Sequence, residues 1–244
     1  MKYLFLPVKL FTVIIFQPEI EKSDKNGQQL SMSQALKPLL SIPAFNIAVF
    51  VAIFSGILLA QVFVIWPQWV LYLGAPHKLI GINTIVGSII ESLGLFISGL
   101  FVKRFGEMPC FFAMFASYSV RFMAYSMLTE STVWFTVALE LTEFFCFSFV
   151  MTALTRFAAG VAPPGCAATT QAIISSCYYG IGLGLGFLSS GGVFQALGGM
   201  VTFRIYSLLS AICFVVLGII QLVRFVLNLR VKATISVTES QCSQ

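Results

Sequence analysis

At 244 residues, with 58% hydrophobic and only 9% charged side chains, the chain is too apolar to keep a water-soluble surface, which takes roughly a quarter charged residues. A single His, six Cys without C-x-x-C spacing and no G-x-x-x-x-G-K-[ST] run leave no basis for a metal site, a bound cofactor or a P-loop ATPase. The net charge of +5 comes from Lys and Arg at the ends of apolar runs rather than on one face, which argues against nucleic acid as a partner and for a lipid bilayer.

In chain order, the first apolar stretch, residues 3–16, is short and interrupted by Pro7 and Lys9. No A-x-A-like cleavage site follows it, so it reads as an interfacial segment or the end of an earlier helix rather than a signal peptide. Residues 18–41 are polar and read as a cytosolic loop, making 1–41 an apolar stub plus loop. Six stretches then have the length and apolarity of a spanning helix: 42–66, 80–102, 110–128, 132–154, 169–192 and 201–223. Pro67, Pro76, Pro109 and Pro163–Pro164 fall between them, where a missing N–H is tolerated. The expected architecture is all-α: a polytopic bundle of six transmembrane helices over 42–225, followed by a polar, disordered cytosolic tail over 226–244. Cys146, Cys177 and Cys213 lie within apolar runs and read as buried thiols.

Basic residues near helix ends set orientation. With the N-terminus in the cytosol, eleven of the fourteen Lys and Arg fall inside, Lys103, Arg104 and Arg156 among them. Only Lys78 and Arg204 fall outside, and Arg121 lies within the membrane. Both termini are therefore expected in the cytosol, although the sequence does not say of which membrane.

Ionisable groups at mid-bilayer cost several kcal/mol and default to functional candidates. Glu91, Arg121, Glu140 and Glu143 are such groups, and their distances from the outer helix ends place them in one slab of roughly 6 Å. Asn83, Gly87, Glu91, Gly94 and Ser98 form one polar or small helical stripe, Ser117, Arg121 and Tyr125 a second, and Thr136, Glu140 and Glu143 a third. Two readings fit: an ion-pair cluster that pins helices together, or the lining of a substrate or proton path. Depth selects Glu140 as the partner of Arg121. Three carboxylates against one guanidinium leave a formal −2, so Glu91 and Glu143 are expected to take up protons. In the fifth helix Gly180/Gly184 and Gly182/Gly186 have small-xxx-small spacing, which fits close helix packing or a bendable gating helix.

Five segments carry a resemblance: SGLFVKRFGEM (98–108), RFMAYS (121–126), ELTEFFCFSFVMTALTRFAAGVAPPGCAATTQ (140–171), YYGIGLGLGFLSSGGVFQALGG (178–199) and TFR (202–204). From about residue 34 to 225 the chain resembles the C-terminal half of a major facilitator superfamily transporter, most closely the subfamily of major facilitator superfamily domain-containing protein 6. Gly99, Lys103, Arg104 and Gly106 resemble the superfamily's cytosolic loop motif, with Lys103 where the family has an acidic residue. Glu91, Arg121 and the Glu140-x-x-Glu143 pair fall where lactose-permease-like proton symporters carry Glu, Arg, and His followed by an acid, with Glu140 in place of the His.

The resemblance implies a secondary transporter for a small-molecule substrate, with proton coupling as an expectation. It also implies a twelve-helix whole of which helices seven to twelve are present. The chain is then a fragment or truncated product, or it pairs with a missing N-terminal half or a second copy of itself. A non-transporting, receptor-like or regulatory protein is the alternative. Enzymatic function is not expected: an intramembrane serine protease needs a G-x-S-G nucleophile and a membrane His, and His77 lies in an outer loop.

Overall fold

The computed structural model describes residues 39–162 and 166–242. The expectations for the stub and loop, and for Pro163–Pro164, fall largely outside these residues. Among the described residues the chain is helical, with no strand. We number the helices α1 (Pro43–Tyr72), α2 (His77–Phe105), α3 (Met108–Ser126), α4 (Val133–Val161), α5 (167–197) and α6 (199–242).

Among the described residues four helical elements are long and apolar enough to cross a membrane: Pro43–Tyr72, His77–Phe105, Val133–Val161 and Ala167–Arg224. Two features separate this number from the expected six. Arg121 and several hydroxyl side chains dilute the apolarity of the 19-residue α3. The last element runs on as one helix through Gly198, whose φ of 74° is the single non-helical position that bends α5 into α6. Only glycine takes that backbone geometry cheaply.

Two boundaries also move. Pro67 lies inside α1, which ends at Tyr72 rather than Trp66. A proline in an apolar helix costs one donor, whereas unwinding the chain there would strip several groups of their partners. Pro76 and Pro109 do sit at helix starts. The tail expected to be disordered continues the last helix to Cys242, and no Gly or Pro in 224–242 stops it.

The helices close on an aromatic core. Phe111, Phe115, Tyr118, Phe122 and Tyr125 of α3 are fully buried, as is Phe203 of α6. Ser119 and Ser207 bond across α3 and α6, and Ser210 Oγ donates to the Phe115 carbonyl at 2.7 Å. Such hydroxyl contacts join helices where an apolar solvent gives no hydrophobic drive to association. Trp69 Nε1 of α1 donates to the Tyr125 carbonyl of α3 at 3.0 Å. The outward face of α2 (Leu93, Phe96 and Leu100 among others) is exposed, as a lipid-facing surface requires.

Candidate functional site

Among the described residues Arg121 heads the large side chains that are fully buried. A guanidinium in that position needs every donor face occupied by something that compensates its charge. Its Nε donates to Tyr125 Oη at 2.7 Å, one turn on in α3. Its Nη2 donates to Glu140 Oε2 at 3.0 Å, and its Nη1 pairs with Glu143 Oε2. The expectation of a single partner, Glu140, is thereby widened: the fork of the guanidinium holds both carboxylates of α4.

The local irregularity of α4 explains the double clamp. Glu140–Thr142 is a 3₁₀ turn and Phe144–Phe149 is π-helical, with Val150–Val161 returning to α geometry. In a 3₁₀ turn residues i and i+3 eclipse one another. Glu140 and Glu143 therefore lie closer to eclipsed than the roughly 60° offset that a uniform α-helix gives i and i+3.

On the α2 side the predicted stripe forms the contact with α4. Asn83, Gly87, Gly94 and Ser98 are buried. A side chain at Gly87 would crowd Glu140 Oε2, and one at Gly94 would collide with Ser148. Ser148 Oγ donates to the Glu91 carbonyl at 2.9 Å, and Ser98 and Thr152 share a hydrogen bond of 2.6 Å. Small residues on α2 thus let α4 approach closely enough to place its carboxylates between the helices.

A cavity of about 400 Å³ opens between α1, α2 and α4. Asn83, Glu91, Glu140 and Glu143 all line it. Arg121 does not; it stands behind the two α4 carboxylates. Asn83 is 1% exposed, and among the described residues neither Oδ1 nor Nδ2 has a hydrogen-bond partner. The indole Nε1 of Trp66, also on the cavity wall, is likewise buried without a partner. Orphaned polar atoms of this kind are costly unless something else occupies the space they face. Trp66 was not singled out in the sequence, where it reads as one more apolar residue at a helix end.

The remaining sequence candidates divide. Gly182 and Gly186 meet α1 at backbone contact distance, Gly182 against Ile53 and Gly56, Gly186 against Ile57 and Ala60. Gly180 and Gly184 face open space. Ser176–Gly182 is π-helical at the same contact. In the loop motif, Lys103 and Arg104 occupy the last turn of α2, where they oppose the negative end of the helix dipole. Gly106 ends that helix at φ 83°, and Gly99 has no neighbour that demands glycine.

Long apolar helices that enclose buried, paired charge define a multi-pass membrane protein. Residues 2–205 match the model of the MFS_1 like family, and the chain belongs to that family, within the major facilitator superfamily. No curated protein and no solved structure matches it.

Proposed function

We propose that the chain forms one six-helix wall of a secondary transporter, of the subfamily of major facilitator superfamily domain-containing protein 6, and that Asn83, Glu91, Glu140 and Glu143 line its solute path. The carrying observation is the cavity that holds three carboxylates and an unpartnered amide, with Arg121 clamping two of the carboxylates from behind. A purely structural clamp between α3 and α4 leaves the unpartnered amide of Asn83 on α2 unexplained.

In this reading all six segments cross the bilayer, α3 because its polar atoms point into the bundle. Both termini face the cytosol, as the Lys and Arg distribution favours. Two carboxylates on one guanidinium leave a formal −1; a site of that charge in a low dielectric favours taking up a proton, which supports proton coupling. Alternating access needs two walls, so a second six-helix unit, within the same polypeptide or from another copy, completes the cavity.

The test is uptake of a panel of labelled solutes into proteoliposomes that hold chromatographically resolved monomer or dimer. Uptake is expected only from assemblies with two walls, and Glu143→Gln should abolish it. Robust uptake by the monomer overturns the two-wall reading. Solute binding without uptake by any assembly favours the alternative, a receptor-like or regulatory protein.

A further inference from the structure

We infer that Tyr118 and Tyr178 hold buried water on the inner side of Glu143, and that this water begins a proton exit toward the cytosolic ends of α4 and α5. The inference rests on the reading of the carboxylates as the solute and proton site, in the orientation that Lys and Arg favour. The first ground is a pair of buried hydroxyls. Tyr118 and Tyr178 are 0% and 1% exposed, and among the described residues neither Oη has a hydrogen-bond partner. A phenol hydroxyl left dry in a low dielectric is costly, and water is the smallest molecule that satisfies it.

The second ground is where the hydroxyls lie. Tyr118 precedes Arg121 by three residues on α3, a neighbouring position about 4.5 Å nearer the cytosolic end. Tyr118 is within electrostatic reach of Tyr178, Cys146, Glu143 and Arg121, and Tyr178 within reach of Glu143 and Glu91. The charged and titratable groups around Glu143 are thus Glu140 and Cys146 of α4, Arg121, Tyr118 and Tyr125 of α3, Tyr178 of α5, and Glu91 of α2 on the same cavity wall. The cavity reaches Glu143 from Trp66, Pro67 and Asn83, toward the outer ends of α1 and α2; the two tyrosines reach it from the inner side. The third ground is the continuation. Tyr178, Ser175 and Gln171 step back along α5 by three and four residues, one stripe toward its cytosolic start at Ala167. Gln171 Nε2 donates to Ser175 Oγ and to Thr155 Oγ1 of α4, both at 3.4 Å. Gln171 Oε1 is a further buried acceptor without a donor among the described residues. π-Helical turns, frequent at functional sites, adjoin Glu143 and contain Tyr178. In the transfer, the Glu143 carboxylic acid gives its proton to the water, and each water or hydroxyl beyond gives one proton and takes one. The carboxylate that remains pairs with Arg121.

X-ray radiolytic footprinting of the purified full chain, with modified residues read by mass spectrometry, tests for the water. Hydroxyl radicals form from water, so a residue sealed from solvent is oxidised where it touches bound water. Tyr118 and Tyr178 should be oxidised, whereas Phe115 and Phe122, equally buried rings of α3, should not. After mixing into oxygen-18 water, Gln171→Leu should slow incorporation of the heavy oxygen at Tyr178, and Thr84→Leu, on the cavity wall, should leave it unchanged. Infrared difference spectra between acid and alkaline solution report on Glu143, whose protonated carboxyl band is the one lost in Glu143→Gln. Tyr118→Phe combined with Tyr178→Phe should shift that band to higher frequency, because the carbonyl loses a hydrogen bond. Protection of both tyrosines in the unsubstituted chain, or an unshifted band in the double variant, overturns the exit and leaves the cavity reading standing. Slowing by Thr84→Leu but not by Gln171→Leu places the water on the cavity and overturns the inner direction. A spectrum unchanged by Glu143→Gln means that Glu143 takes up no proton, and overturns proton coupling together with its exit.

Discussion

Arg121 is a fully buried cation with two ion pairs. Its burial is tolerated because Tyr125, Glu140 and Glu143 occupy its three donor faces. Removing only the guanidinium strands two carboxylates, and Arg121→Ala should cost about 3–5 kcal/mol. Arg121→Ala combined with Glu140→Ala and Glu143→Ala should cost less than the single change. A mutant cycle on melting temperature in detergent checks this; effects that simply add would mean that the three residues do not interact. The sequence carried half of this site. Charge at one depth on three helices is visible in an apolar background, so Glu91, Arg121, Glu140 and Glu143 stand out by type and position. The shared face of Glu140 and Glu143 was legible in their spacing, but depth alone singled out Glu140, and the tightening of Glu140–Thr142 to 3₁₀ geometry was not legible. Asn83 was legible as a member of the stripe; its lack of a partner was not.

At the scale of elements, glycines bring the backbones of α1 and α5 into contact. Gly56 of α1 would collide with the Tyr178 carbonyl if it carried a side chain, and Gly182 and Gly186 return the contact from α5. Gly182→Leu should therefore collapse the yield of folded protein. Gly180→Ala and Gly184→Ala face open space and replace a poor helix former, so each should be neutral or stabilising by up to about 1 kcal/mol. Melting temperatures of the three variants decide between packing and gating. If Gly180→Ala and Gly184→Ala preserve stability but abolish uptake, α5 bends there in function. Small-xxx-small spacing in the sequence marked four glycines, and only the packing partner on α1 tells which two it needs. Pro67 was misread for a related reason: rules for helix ends come from water, and an apolar helix continues through a proline rather than expose its backbone.

At the scale of the molecule, orientation in the bilayer decides which ends of the helices an aqueous reagent can reach. A Cys placed at Tyr72, exposed at the end of α1, should react with an impermeant thiol reagent on intact cells, and a Cys at position 240 should not. The reverse pattern overturns the orientation inferred from Lys and Arg. The count of helices was the part of the fold least secure in the sequence. Gly198 interrupts a single helical element with one residue, so α5 and α6 are divided by a bend rather than by a polar loop. The central claim is that Glu91, Glu140 and Glu143 border a path that solutes in water can enter, rather than a sealed clamp. Thiol accessibility tests it most directly and needs no knowledge of the substrate. Glu91 lines the cavity, whereas Leu93, two residues on, is 57% exposed on the outward face of α2. In a Cys-free background reconstituted in lipid, Glu91→Cys should be modified by a cationic methanethiosulfonate reagent, and Leu93→Cys, facing hydrocarbon, should be spared. Protection of Glu91→Cys together with labelling of Leu93→Cys, or labelling of neither, would contradict the account.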